Sequence, residues 1–226
     1  MINSNAAILI TGATSGLGRK SALNLGAAGR TVIVHGRRHE AVDDTVHQIS
    51  KAGGTALPFI ADFNDLQELN SALENFPNLP LHGMMANAGV ISRQPKTLGQ
   101  SAQGYDMTFA VNVLAHQLIF MKLADKILEN GRIVVVTSGV HDPRNQLSRF
   151  ARVPGPQWVD IEQLAHADKT PPESGLSNGF LRYSTSKLLN IFQARILQEQ
   201  LSHLDVFALN PGFMADTNLV HEVPLF

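Results

Sequence analysis

Tyr183 and Lys187 stand four positions apart in "RYSTSKLLN" (182–190), and Tyr183 is one of only two tyrosines in the chain. In a helix, residues at i and i+4 share a face with Cβ atoms about 5–6 Å apart. The pair can therefore act as a phenol and the cation that tunes it. A phenol of pKa about 10 is a poor base at neutral pH, and a neighbouring ammonium favours its phenolate. So tuned, it could pass a proton to or from an oxygen atom. Alone, the pair is equally an ordinary helix contact. Ser138 closes the apolar run "RIVVVTS" (132–138) with a hydroxyl able to hold a substrate oxygen. Asn112 sits inside a helical pattern, where asparagine has poor propensity, so a functional reason for it is plausible. His141, three positions after Ser138, reads as a loop residue outside the site.

These residues need a scaffold, and the sequence outlines one. "AAILIT" (6–11), "TVIVHG" (31–36), "TALPFIA" (55–61), "LHGMMAN" (81–87), "RIVVVTS" (132–138) and "DVFALNP" (205–211) read as buried strands. Helical patterns run near 16–28, 40–52, 64–75, 101–129 and 180–202. Gly29, Gly53 with Gly54, and Gly131 fall at expected helix ends. Strands that are apolar throughout and alternate with helices predict an α/β fold: one parallel sheet covered on both faces. Residues 139–179 break the rhythm with five prolines and the only tryptophan, and read as an insertion with a short helix around 160–167.

"TGATSGLG" (11–18) follows the first strand and opens the first helix. Gly12, Gly16 and Gly18 allow a tight turn and close approach to a pyrophosphate, and the helix N-terminus favours its charge. Thr14 and Ser15 could add hydroxyl donors. The end of the second strand reads "HGRRHE", with Arg37 and Arg38 where a diphosphopyridine site for NAD commonly has an acid. Two cations ahead of a helix oppose its dipole, and a 2′-phosphate would give a guanidinium a bidentate partner. The expected cofactor is NADP(H), with NAD(H) the lesser alternative.

With these motifs in order, the sequence resembles the short-chain dehydrogenase/reductase family. "TGATSGLG", including Leu17, is similar to its cofactor turn. The resemblance implies a Rossmann-type, doubly wound, three-layer αβα sheet of strand order 3-2-1-4-5-6, as a single domain over 1–226. It implies cofactor contacts from Asp62 and Phe63 after the third strand, from Asn87, Ala88 and Gly89 after the fourth, and from Pro211, Gly212 and Thr217 in "NPGFMADT". Asn112, Ser138, Tyr183 and Lys187 match its catalytic tetrad, the lysine also binding the cofactor ribose. Asn112 would hold a water linking Lys187 to solvent. Ser138 and Tyr183 lie 45 positions apart, where most members have a dozen or so residues between them. This is the style of retinol-dehydrogenase-like and carbonyl-reductase-like members. The chain ends at Phe226, short of the family's usual final helix and strand.

The implied activity is NADP(H)-dependent interconversion of a carbonyl compound and an alcohol. A cofactor-binding sensor or partner-binding protein without turnover is the alternative. Phe150, Trp158 and Leu147 suggest an apolar substrate or lid, or else anchors for the insertion. A net charge of −1 offers no field for nucleic acid or an anionic membrane. The absence of cysteine excludes disulfides and thiolate chemistry, and nine histidines without close ligand spacing predict no metal site. No apolar run approaches the ~18–20 residues of a membrane span, and "MINSNAAILITG" lacks a signal peptide's basic segment and apolar core. The expectation is a cytoplasmic protein, monomeric or weakly dimeric, with the insertion covering the helix faces that would otherwise pair.

Overall fold

The computed structural model describes residues 6–91, 99–150, 152–158, 160–166 and 178–212. Six strands, β1 (Ala7–Ile10), β2 (Thr31–Gly36), β3 (Thr55–Ile60), β4 (Leu81–Ala86), β5 (Ile127–Val136) and β6 (Asp205–Leu209), form one sheet of order β3-β2-β1-β4-β5-β6. All five pairings are parallel. The order reverses between β1 and β4, which opens a crevice at their C-terminal ends.

Side chains alternate across the pleat and both faces are apolar, so both must be covered. Val32 and Val34 pack with Ala22 of α1 (Gly16–Ala27) and with Val42 and Ile49 of α2 (His39–Lys51). Leu9 and Ile33 point the other way, into the cluster of Leu69 and Leu73 from α3 (Leu66–Glu74) and Ala194 and Leu197 from α8 (Gly179–Gln200). The same layer holds one continuous helix, Met107–Lys126, made of α4 (Met107–Phe109), a π turn (Ala110–Leu114), α5 (Ala115–Leu123) and a final 3-10 turn.

The structure corrects three sequence expectations. The long helix starts at Met107 rather than 101, because the Asp106 side chain caps it by accepting the Phe109 amide at 2.9 Å. It stops before 127, where the chain joins β5. Gly131 is therefore not a helix end: the left-handed residue is Asn130 (φ 61°). Gly131 is required by space instead, since a Cβ there would collide with Ile127 and lie 2.9 Å from the His82 carbonyl. Finally, β6 is not a buried strand: four of its five residues are exposed, Phe207 at 48% and Leu209 at 40%. Met107–Lys126 passes a length-and-composition test for a membrane span, but 67% of its most apolar window is buried in the fold, as in a core helix.

The stretch after β5 is folded where it is described. α6 (Gln146–Phe150) and α7 (Ile161–Ala165) lie within it. Leu164 and Ala165 dock against Phe109, Val113 and Leu181. The Ser184 hydroxyl donates to the Pro154 carbonyl at 2.7 Å, and the Gln157 amide donates to Thr185 Oγ1 at 3.3 Å. These contacts fasten the stretch to the first turns of α8. Phe150 and Trp158 are not its anchors, being 89% and 84% exposed. Trp158 meets Phe192 edge-on, but Ile196 and Met121 stay exposed, so the helix faces are covered only in part.

Candidate active site

Most residues proposed from the sequence follow the C-terminal ends of the strands, while Asn112, Tyr183 and Lys187 lie on helices. Gly12 (φ 63°) and Gly16 (φ 50°) take the left-handed conformation in the turn after β1. A Cβ on Gly18 would collide with the Gly12 carbonyl, so the turn closes on the helix only with glycine there. Ser15 is the helix N-cap in extended backbone and makes no side-chain cap bond. With no acid in the first turn of α1, the N–H groups and the Ser15 hydroxyl present an uncompensated positive end. Leu17 is half-buried beside them. Thr14 lies against the end of β2, its Cγ2 within 2.6 Å of where a Gly36 Cβ would stand. The next two residues, Arg37 and Arg38, are exposed and have no ion-pair partner among the described residues.

Behind the turn, Asn87 braces it: its Nδ2 donates to the Thr11 carbonyl at 2.8 Å and to the Gly12 carbonyl at 3.3 Å. Ala88 and Gly89 continue past β4, and a Cβ on Gly89 would sit 3.4 Å from Asn112 Oδ1 and 3.5 Å from Lys187 Nζ. Asp62 Oδ1 accepts the Asn64 amide and is half-exposed. Phe63, in contrast, is committed to the core, stacked on His35 at 4.1 Å. Pro211 and Gly212 (φ 77°) follow β6, and Thr217 lies outside the described residues.

The four polar residues converge from three elements. Ser138 leaves β5 beside the Tyr183 phenol and hydrogen-bonds it. Lys187, one turn along α8, puts Nζ 5.6 Å from the centre of the Tyr183 ring. Asn112 reaches from the π turn, its Oδ1 accepting the Val90 amide at 2.8 Å and its Nδ2 donating to the Val90 carbonyl and Ser186 Oγ. The wide turn frees the Asn112 main-chain carbonyl from the regular helix ladder, a feature frequent at functional sites. His141 touches the Ser138 carbonyl rather than its hydroxyl.

Burial, not the lysine, sets the resting electrostatics. The Tyr183 phenol is pushed up to about 12 by desolvation, with the Ser138 bond opposing. Lys187 is pushed down to about 8 by the same cause. The expected lowering of the phenol by its neighbour is thus absent in this state. The amine spends its N–H groups on the Val136 carbonyl (3.0 Å) and Asn190 Oδ1 (3.3 Å) instead.

Residues 6–148, more than half of the chain, match the short chain dehydrogenase family. The chain belongs to that family. Among its relatives, L-xylulose reductase from Caenorhabditis elegans is 33% identical, over 58% of this chain and 53% of its own length. The WW domain-containing oxidoreductase of Drosophila melanogaster is 29% identical, over 93% of this chain and 49% of its own. The chain thus spans about half the length of these relatives. Among solved structures, the angucycline C-6 ketoreductase LanV with bound NADP superposes with a TM-score of 0.71 at 22% identity, covering 97% of this chain and 77% of LanV.

This short-chain dehydrogenase holds its site with residues that the sequence reading passed over. Thr11 Oγ1 accepts the amides of Asn87 (2.8 Å) and Ala88 (2.9 Å) and reaches His116 Nε2 at 2.9 Å. His116 Nδ1 bonds the Asn112 carbonyl at 3.2 Å. His35 Nδ1 accepts the Gly12 amide at 3.1 Å, and its Nε2 bonds the Ala61 carbonyl at 3.2 Å. Both histidines are buried and neutral, lowered by desolvation to about 3 for His35 and about 4 for His116. Beside the tetrad, Arg182 and Asp106 form an ion pair at 2.8 Å, each 5% exposed or less.

Proposed function

We propose that the chain is an NADP(H)-dependent oxidoreductase that interconverts a ketone or aldehyde with its alcohol, with Tyr183 as the proton donor and acceptor. The observation that carries this reading is the convergence of the Ser138 hydroxyl, the Tyr183 phenol and the Lys187 amine beside Gly89, at the crevice where the strand order reverses. The bound NADP of LanV and the reductase activity named for the nematode relative support it.

The cradle fits a dinucleotide. Gly12 and Gly16 take the left-handed backbone and Gly18 lets the turn close on the first helix, whose N-terminus would take a pyrophosphate, and Asp62 after β3 would contact the adenine. Arg37 and Arg38 give a 2′-phosphate its partners. When bound, the cofactor supplies or takes the hydride. Ser138 holds and polarises the substrate oxygen, and the phenol delivers the proton that the reduced oxygen needs. Lys187 holds a ribose hydroxyl and the positive charge that keeps the phenolate tolerable after transfer. We further read the chain as one cofactor-binding unit over 1–226, with 139–179 as an insertion in it, and as a monomer or weak dimer whose mass light scattering will give.

The test is paired. NADPH and NADH are titrated by fluorescence into the protein and into Arg37→Ala, and a panel of carbonyl compounds is assayed with Tyr183→Phe as control. NADPH should bind more tightly, Arg37→Ala should lose mainly that preference, and Tyr183→Phe should slow turnover about 10²–10⁴-fold. Tight NADPH binding without turnover on any carbonyl compound would replace this reading with a non-catalytic binding protein.

A further inference from the structure

Asn190 lies on α8 three residues beyond Lys187 and is 1% exposed. Its amide can be oriented without ambiguity. Lys187 Nζ can only donate, so the oxygen of the amide, Oδ1, faces it at 3.3 Å. The Asn112 main-chain carbonyl can only accept, so Nδ2 faces it, at 2.8 Å. That carbonyl also accepts from His116 Nδ1, which fills its second lone pair. The Asn112 side chain spends both Nδ2 hydrogens on the Val90 carbonyl and Ser186 Oγ, and its Oδ1 accepts the Val90 amide. The family resemblance implies a water at Asn112 as the link to Lys187. Here a protein amide stands in that link.

The chain of amides continues outward. Asn190 Nδ2 also donates to Gln193 Oε1 at 3.0 Å, and Gln193 Nε2 donates to the Val113 carbonyl and to Gln117 Oε1 at 3.1 Å. Gln117 is exposed on α5. Each amide therefore turns its oxygen toward the buried ammonium and its N–H groups toward the surface, a series of dipoles aligned to favour positive charge on Lys187.

We propose that Asn190 is a positioning residue of this site, whose amide seats the Lys187 ammonium and occupies the Asn112 carbonyl in place of a bridging water. The proposal rests on the oxidoreductase reading only for the use made of the lysine, not for the contact. Around Nζ, β5 contributes the Val136 carbonyl and the loop after β4 contributes Gly89. The titratable neighbours are Tyr183 on α8 and His116 on α5. The oxygen of Asn190 is the side-chain acceptor that offsets burial of the charge.

The decisive experiment titrates Lys187 directly, by NMR of 13Cε-lysine-labelled protein, with the signal assigned by its loss in Lys187→Met. Asn190→Leu removes the acceptor and should lower the Lys187 pKa by about one unit. Asn190→Asp places a carboxylate there and should raise it by about one unit or more. Both variants are checked for folding by circular dichroism; should the leucine variant not fold, Asn190→Ser takes its place with a shift in the same direction. In turnover, the alkaline limb of the kcat/KM profile should move with the lysine, a change that mere loosening of α8 would not produce. Unmoved Lys187 titration in folded variants of both kinds overturns the proposal. The titration needs no turnover: an inactive wild type with shifting variants would overturn the oxidoreductase reading alone, and an active one without shifts would overturn this inference alone.

Discussion

The two histidines behind the cofactor turn make the fold acid-sensitive in a calculable way. In the folded protein both are neutral, because His35 must accept from the Gly12 amide and His116 must accept from the Thr11 hydroxyl. Thr11 Oγ1 already receives two amides and lies 3.4 Å from the Met85 carbonyl but only 2.9 Å from His116 Nε2, so its proton is assigned to the shorter contact, and Nδ1–H goes to the Asn112 carbonyl. Their pKa values stand near 3 and 4, against about 6.5 in the unfolded chain. Depressed pKa values mean that the unfolded state binds protons first. Stability from the pair is therefore complete above about pH 6.5 and is lost as pH falls toward the folded values. At about pH 5, some 1.5 pH units below the unfolded pKa, preferential protonation of the unfolded chain costs about 2 kcal/mol per histidine and about 4 kcal/mol together. That figure requires only that both folded pKa values lie below 5. It is a large part of the 5–15 kcal/mol of a typical domain. Urea denaturation followed by circular dichroism at about pH 8, 6 and 5 will measure it, and His116→Gln should remove about half of the fall. Stability that changes by less than about 1 kcal/mol between pH 8 and 5 would show that the histidines ionise inside the fold, and would refute the hydrogen-bond assignment.

Two further variants test the frame around the site. Gly18→Ala should abolish NADPH binding in a fluorescence titration while leaving most secondary structure by circular dichroism, because the added methyl meets the Gly12 carbonyl, a backbone atom that cannot step aside. Asp106→Ala takes the carboxylate from a buried guanidinium and the cap from α4, and should cost about 3–5 kcal/mol in urea denaturation; retention of wild-type stability would mean that Arg182 is held by its other contacts.

The sequence carried the scaffold because its signals are local. Each β strand is a short apolar run, the turn spells its glycines in order, and Tyr183 and Lys187 sit one helical turn apart. What it did not carry is formed by residues far apart along the chain. Thr11 and His116 are 105 positions apart, Gly12 and His35 are 23 apart, and Asn112 and Asn190 are 78 apart. A buried histidine accepting from a backbone amide has no periodicity to betray it. The oddity of Asn112 inside a helix was visible, but not the π turn that turns its carbonyl loose. The stretch 139–179 misled in a different way: its large aromatics drew attention, whereas the residues that dock it are Leu164 and Ala165, of a type that every surface helix contains.

Burial acts on the two ionisable members of the tetrad in opposite directions, and the result selects a state. At neutral pH a phenol near 12 keeps its proton, while an amine near 8 is still mostly ammonium. The resting site therefore holds a proton donor hydrogen-bonded to Ser138, with a positive charge over the ring. Carbonyl reduction needs that arrangement as it stands. In the proposed reaction either direction passes through the same phenolate, so the Lys187 charge has to offset the burial that raises the phenol. The same values place the alkaline limit on the lysine: the ammonium is present below about pH 8 and is lost above it.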